Sequence, residues 1–150
     1  MAISRGAGTE IIRTAHFEDV DTTQCCLIFG VQHHIYTVLS VIFYANALNA
    51  SGDTIELYIL GYDAEAGTSQ QGIYMLNQSI ASAGDTFVWN DKFSFNGHEP
   101  VDFAGPLDSI AKQDAIADQG SAVPQKLMCG ALHASDSFEV TVTFIDQNNA

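Results

Sequence analysis

Length, composition and charge already exclude several classes of function. The chain has 150 residues, of which 47% are hydrophobic and 15% are charged, as is typical of one globular domain with its own core. Its 18 acidic residues outnumber five lysines and arginines and give a net charge of −13, so no basic groove is available to neutralise phosphates. We therefore expect no nucleic-acid partner and no membrane partner.

Residues 1–9 are predicted to form a flexible N-terminal arm, followed by a single β-sandwich domain over residues 10–150. The arm is rich in glycine and small residues, and beyond Ile3 it offers no apolar anchor. Arg5 and Arg13 against Glu10 give residues 1–13 a net charge of +1, while three bases and 17 acids give the remainder −14. Such an arm is suited to lie over an acidic neighbouring subunit. A frayed terminus is the alternative.

The run from Ile35 to Asn46 is strongly apolar and is predicted to be a central strand. A strand with one face in water alternates between apolar and polar side chains. Here both alternating sets are apolar, with Ile35, Leu39, Val41 and Phe43 on one side and Tyr36, Val38, Ile42 and Tyr44 on the other. We therefore expect both faces to be covered, one by the domain's own core and the other by a loop of the chain or by a partner.

Further short β-rich runs, separated by Gly, Asn, Asp and Ser, flank this strand. They are Glu10–Phe17, Cys25–Phe29, Thr54–Leu60, Ile73–Ile80, Thr86–Asn96 and Ser137–Asp146. In the last run, Phe138, Val140, Val142 and Phe144 share one face, and Glu139, Thr141 and Thr143 share the other. The pattern predicts an all-β fold, an antiparallel and jelly-roll-like β-sandwich.

Residues 97–134 are predicted to be a long insertion between two late strands, with one short helix inside it. The segment Pro106–Gly120 is rich in alanine, Asp108 can cap its start, and Gly120 can end it. Long connections in compact domains are usually functional or mobile.

No motif for catalysis or cofactor binding is recognisable, so we expect no enzyme, no cofactor and no metal. The chain has no nucleophile elbow, phosphate-binding loop or dinucleotide fingerprint. Cys25, Cys26 and Cys129 form no CxxC pair, and buried, reduced thiols are expected. Three alternatives stay open: a triad of Cys129, His133 and Asp136, a metal site made by histidines, and calcium held by loop aspartates.

An aromatic platform for a sugar is a further alternative. It would be built from Tyr58, Tyr62, Tyr74 and Trp89. Core packing and subunit contact explain the same rings.

Five segments of the chain resemble a family of small β-sandwich virion proteins of tailed bacteriophages. They are Val38–Asn46, Thr54–Leu60, the IYMLNQSI strand Ile73–Ile80, the Gly-Asp turn at Ala83–Asp85, and the TFVWNDKFSFN hairpin strand Thr86–Asn96. The last predicted strand, Ser137–Asp146, fits the same order of features. Residues 1–10 are also similar to the start of marine phage and cyanophage structural proteins. In that family the hairpin strand passes directly to the last strand, so residues 97–134 are a departure from the pattern.

The resemblance implies a non-enzymatic virion structural protein, most specifically a capsid decoration or cement protein. The implied partners are the major capsid protein and further copies of the chain, with a trimer preferred over a dimer, and the implied location is the capsid surface after assembly in the host cytoplasm. A tail or fibre component that binds a receptor or a glycan is the alternative. The candidate interface residues are Ile3, Arg5, Arg13, Tyr36, Tyr44, Tyr58 and Tyr62.

Overall fold

The computed structural model describes residues 6, 8–100, 103–117 and 121–149, and these ranges contain nine strands and one helix. The strands are β1 (Glu10–Val20), β2 (Cys25–Phe29), β3 (His34–Ala47), β4 (Thr54–Asp63), β5 (Thr68–Ser79), β6 (Thr86–Trp89), β7 (Phe93–Asn96), β8 (Lys126–Ala131) and β9 (Ser137–Asn148). The helix, α1, spans Ile110–Ala117. Most of the predicted N-terminal arm lies outside the described residues.

The strands form two antiparallel sheets that pack against each other. Sheet A has the order β1-β9-β3-β6, with β7 also paired to β3, and sheet B has the order β2-β8-β4-β5. The last strand returns to lie between the first and the third, and β8 lies between β2 and β4 in the same way, which is the strand order of a jelly roll. The prediction of an all-β, antiparallel, jelly-roll-like sandwich with one short helix is confirmed.

The core lies between the sheets and is built from alternate side chains of each strand. In β9, Phe138, Val140 and Val142 are fully buried, while the residues between them are only partly buried, as the alternation predicts. Ile55 of β4 and Leu127 of β8 meet them from sheet B. Burying each such side chain contributes about 1.5–3 kcal/mol, so this double layer of apolar side chains holds the sheets together.

Strand β3 contains a β-bulge, so the faces predicted from simple alternation were wrong for part of the strand. The register with β9 shifts between Val38 and Ser40, so the alternation changes sides at the extra residue, Leu39. The buried set is Tyr36, Val38, Val41, Phe43 and Ala45, whereas Ile35, Ile42 and Tyr44 are exposed. The central position of β3 is confirmed, but the cover expected on its second face is not found in the described part of the chain.

The second half of the predicted insertion is a central strand. β8 pairs with β2 on one side and with β4 on the other, and both Leu127 and Cys129 are fully buried. The prediction of an insertion over residues 97–134 was therefore wrong for residues 126–131. The connection that carries the helix runs from residue 97 to residue 125.

Helix α1 belongs to that connection and lies on the surface of the protein. Ser109, rather than the predicted Asp108, caps it, because the Ser109 hydroxyl accepts the Lys112 amide hydrogen at 3.2 Å. Asp108 instead pairs with the Lys112 ammonium at 2.8 Å, and this hydrogen-bonded contact lowers the pKa of the carboxyl. No residue of α1 is buried, and no helix in the described ranges has the length and hydrophobicity that a membrane crossing needs.

The start of the same connection crosses the loop that follows β2 at very close range. A Cβ atom added to Gly97 would lie 1.7 Å from the carbonyl oxygen of Val31, and one added to Gly30 would lie 2.0 Å from the carbonyl oxygen of Gly97. The amide of Gly30 donates to Gln125, and the amide of Gln125 donates to Gly97, each at 2.8 Å. Glycine is required at both positions because only a hydrogen atom fits between these backbones.

Candidate functional site

No element in the described part of the chain covers the outer face of sheet A, and the middle of this face is uncharged. The strand registers place three rows of side chains across it: Ile12, Ile145, Thr37 and Ser94; Thr14, Thr143 and Ser40; and His16, Thr141, Ile42 and Val88. None of these residues is Asp, Glu, Lys or Arg, although the chain has a net charge of −13. The acidic residues of this face, Glu10, Glu18 and Glu139, lie at its two ends. The face therefore has an uncharged centre between acidic ends.

Apolar side chains stand on this face among hydroxyl groups that bond one another. Ile12 is 69% exposed and Val88 is 48% exposed. The hydroxyls of Thr14 and Thr143 are 3.2 Å apart, and those of Thr37 and Ser94 are 3.0 Å apart. Because these hydroxyls already have partners, covering them with another protein costs few hydrogen bonds to water. The face therefore combines exposed apolar side chains with hydroxyl groups that are already paired.

The four tyrosines predicted to lie at an interface differ in how exposed they are. Tyr44 lies on the outer face of sheet A and is exposed. Tyr36 and Tyr58 are each only 2% exposed, which corrects the prediction, because their rings are packed within the protein. Tyr62 is partly buried, and its hydroxyl donates a hydrogen bond to the Phe103 carbonyl.

Arg13, another predicted interface residue, lies at the edge between the two sheets. Its Nε is 3.5 Å from the carboxylate of Asp146, which is also 2.7 Å from Nδ1 of His34. The other predicted interface residues, Ile3 and Arg5, lie outside the described residues. Arg13 and Asp146 line a pocket of about 240 Å³, whose remaining walls are Leu27, Ile28, Phe29, Val31, Tyr36 and Phe144. Arg13 is thus held by an ion pair within the protein.

Two tyrosine rings pack together on the outer face of sheet B. Tyr74 is 66% exposed, and its ring centre lies 5.1 Å from that of Tyr58. The Tyr58 hydroxyl is buried without a hydrogen-bond partner among the described residues. Burial raises its pKa, and the nearby Tyr74 and Glu56 add to the shift. Phe29 is also exposed on this face, and the Lys126 ammonium lies 5.3 Å from its ring centre.

The four-ring aromatic platform considered from the sequence is not formed. Trp89 packs against the core from sheet A, and the Tyr62 hydroxyl is bonded to the β7–β8 connection. The exposed aromatic surface of sheet B therefore consists of Tyr74 and Phe29.

Two buried carboxylates and a histidine join the loops at one end of the sandwich. Asp53 precedes β4 and Asp136 precedes β9, and they are 4% and 2% exposed. Nδ1 of His133 is 3.0 Å from Asp53, while Asp136 accepts the amide hydrogens of Asn49 at 2.7 Å and His133 at 3.0 Å. Burial acts to raise the pKa of Asp53, but hydrogen bonds from the His133 side chain and the Ala50 amide help to lower it overall.

Asp53, His133 and Asp136 are residue types that bind cations, but here their hydrogen bonds join the β3–β4 loop to the β8–β9 loop. We call these three residues the loop clamp. The potential ligand atoms of Asp53, His133 and Asp136 lie within 4.8 Å of one another, as do those of His16, Glu18 and Glu139 on sheet A. In the first group, amide hydrogens from two loops already occupy the carboxylate oxygens. No group of three histidines within ligand distance occurs in the described ranges.

The triad of Cys129, His133 and Asp136 is not assembled as a catalytic centre. Cys129 is fully buried, and burial strongly raises the pKa of its thiol, so the nucleophilic thiolate is suppressed. His133 is bonded to Asp53 instead. Of the three cysteines, Cys26 is exposed, which corrects the prediction of three buried thiols.

Glu99 is a fully buried acid that the sequence did not indicate. Its Oε1 accepts hydrogen bonds from the amide of Gln70 at 2.9 Å and from the Gln70 side chain at 3.0 Å, and its Oε2 has no partner among the described residues. Gln70 has a positive φ of 57°. Glu99 therefore fixes an unusual backbone position at the start of β5 from the β7–β8 connection.

Comparisons with known proteins identify no family. No family model matches the sequence, and no curated protein matches it. Among solved structures, the chain is similar to a chain from a structure described by the words "Bacillus endospore appendages form a novel family of disulfide-linked pili". The alignment covers 100% of this chain and 97% of that chain, at 10% sequence identity and a TM-score of 0.43. A similarity of this strength carries no inference about function.

Proposed function

We propose that this protein is a non-enzymatic structural subunit that acts by docking the outer face of sheet A onto another protein. The observation that carries this proposal is the uncharged centre of that face, with exposed Ile12, Ile42 and Val88, on a chain of net charge −13. Interface centres are depleted in charged residues and are surrounded by a polar rim. The acidic residues at the two ends of the face supply such a rim.

Within this class, the proposed role is that of a capsid decoration protein of a tailed bacteriophage. Support comes from the resemblance of five sequence segments to phage virion proteins and, by analogy of fold, from the use of jelly rolls in viral capsids. The proposed partners are the major capsid protein and further copies of the chain, as a trimer in preference to a dimer. A protein that binds only the assembled lattice stabilises it by its binding free energy, and many copies acting together add avidity.

To test this proposal, the purified protein is added to capsids of the phage that encodes it, which have been assembled without the protein. We expect saturable co-sedimentation and greater heat resistance of the particles. Ile42→Lys, which puts a charge at the centre of the face, is expected to weaken binding at least tenfold. Ile110→Lys on α1, where the side chain is 78% exposed, is the matched control and is expected to bind normally. Equal binding by Ile42→Lys, with both variants folded, would refute docking through this face.

A second candidate is a tail or fibre component that binds a glycan. The observation that favours it is the exposed Tyr74 ring, which packs over Tyr58 on the outer face of sheet B. Sugar rings stack on aromatic side chains presented in this way. A glycan array compares Tyr74→Ala with Tyr44→Ala, an exposed tyrosine on the opposite sheet. A glycan signal that only Tyr74→Ala abolishes supports this candidate, and the absence of any signal removes it.

A further inference from the structure

Cys25 and Cys129 lie directly opposite each other on paired strands. The register of β2 and β8 pairs Cys25 with Cys129 and Cys26 with Met128. Facing residues of antiparallel strands have Cα atoms about 4.5–5.5 Å apart, and a disulfide joins Cα atoms about 4.4–6.8 Å apart. Cys129 is part of the buried core, and Cys25 packs against that core from the edge strand. The two thiols therefore meet on the inner side of sheet B.

We infer that Cys25 and Cys129 form an intramolecular disulfide when the protein meets an oxidising thiol pool. Cys26 is not the partner, because it neighbours Cys25 in sequence and faces the outside of the sheet, where it is exposed. Its thiol lies 3.4 Å from the Ile28 carbonyl, to which it donates. The pairing does not depend on the proposed function, since it follows from the strand register alone.

The chemistry is thiol–disulfide exchange, with a small disulfide such as glutathione disulfide as the oxidant. The Cys25 thiolate attacks that disulfide, forms a mixed disulfide and releases one thiolate, which takes up the proton that Cys25 lost. Cys129 then loses its proton and attacks the Cys25 sulfur, which releases the second small thiol. Two protein thiols are oxidised to one disulfide, and one external disulfide is reduced to two thiols.

Burial sets the rate of this exchange. It raises the pKa of the Cys25 thiol and, more strongly, that of Cys129, so few thiolates are present at neutral pH. Oxidation is therefore expected to be slow at pH 7 and faster at pH 9. Once formed, the bond joins the edge strand β2 to the central strand β8 and encloses residues 26–128, which are 103 residues. A loop of this length restricts the unfolded chain strongly, so the melting midpoint is expected to rise by roughly 10 °C.

Peptide mapping tests the inference on the full chain. The native protein is incubated with glutathione disulfide, denatured, treated with N-ethylmaleimide and digested with trypsin. Cleavage after Arg13, Lys92 and Lys126 places Cys25 and Cys129 in separate peptides, residues 14–92 and 127–150. We expect these two peptides to be linked, with a single maleimide group on Cys26, and dithiothreitol to reverse both the link and the rise in the melting midpoint.

Variants separate the two adjacent cysteines. The link and the rise in the melting midpoint are expected to persist in Cys26→Ser and to disappear in Cys25→Ser. Three results would overturn the inference: alkylation of all three thiols after oxidation, loss of the link in Cys26→Ser, or a disulfide that joins two molecules.

Discussion

Asp53, Asp136 and Glu99 are nearly or fully buried, and each accepts backbone amide hydrogens. Asp53 and Asp136 bond the β3–β4 loop at Ala50 and Asn49, and Glu99 bonds Gln70 near the start of β5. A buried carboxylate without such partners is costly, because the charge loses its hydration. Asp53 and Asp136 therefore hold loops in place, and Glu99 holds the start of β5. Burial distinguishes these three acids from the exposed acidic residues of the chain. Two predictions concern single residues: one tests the charge of Asp53, and the other tests the close backbone contact at Gly97.

Replacing Asp53 by Asn tests the loop clamp. The pKa of Asp53 lies below its ordinary value of 3.8 in the folded protein, so its ionised form favours folding above that pH. That contribution is lost as the pH falls through the lowered folded pKa. We expect Asp53→Asn to reduce the free energy of unfolding at pH 7 and the deficit to shrink below about pH 4. Urea denaturation at pH 7 and pH 3 measures both values.

The control for this variant is Asp91→Asn, in an exposed turn between β6 and β7. It is expected to change stability little at either pH. A deficit for Asp53→Asn that is equally large at pH 7 and pH 3 would contradict the assignment of the effect to the Asp53 charge.

Replacing Gly97 by Ala tests the close crossing of the β7–β8 connection over the loop at Val31. The added Cβ would lie 1.7 Å from a backbone oxygen, and the backbone would have to move to admit it. We expect a loss of about 3 kcal/mol or more in the free energy of unfolding. Gly6→Ala is the matched control, because no atom lies within 4 Å of its added Cβ. Equal thermal melts for the two variants would show that the crossing is not tight.

At the scale of elements, the bulge at Leu39 decides which side of β3 faces the core. Val41 is fully buried and Ile42 is 38% exposed, although they are neighbours in sequence. We expect Val41→Asp to abolish soluble expression, because a buried unpaired charge costs several kcal/mol against a typical stability of about 5–15 kcal/mol. Ile42→Asp is expected to give folded protein.

Soluble yield and circular dichroism melts of these two variants measure the outcome. Folded, soluble Val41→Asp would place the core on the other side of the strand. Loss of both variants would show instead that the second face of β3 is covered, as its two apolar sets first suggested.

Strand β8 cannot be recognised from its own sequence, and only its pairing with neighbouring strands identifies it. Its sequence, KLMCGA, is short and contains glycine, which is uncommon in strands. Leu127 and Cys129 do alternate with Lys126 and Met128, so a period of two is present. Four residues are too few to distinguish this pattern from an irregular segment. Pairing with both β2 and β4 is what makes the segment a central strand.

At the scale of the whole molecule, the exposed face of sheet A predicts association. Light scattering at micromolar concentration is expected to give two or three times the 16.1 kDa of one chain. Ile42→Lys is expected to return the mass to that of one chain, because an unpaired charge buried in the interface between copies is costly. Ile110→Lys on α1 is the control that should keep the larger mass. A wild-type mass near 16.1 kDa would refute self-association.

The sequence by itself determined the class of fold, most strand positions and the inward set of β9, because alternation with a period of two is a local property of the chain. It also predicted that no extended basic groove is available for a nucleic acid, since net charge is a property of composition. Only the tertiary structure decided which face of β3 is open, that residues 126–131 are a core strand, and that Cys25 faces Cys129. These features depend on the register between strands far apart in sequence, and a single extra residue such as Leu39 exchanges the faces of the residues that follow it, here Val41 to Ala45.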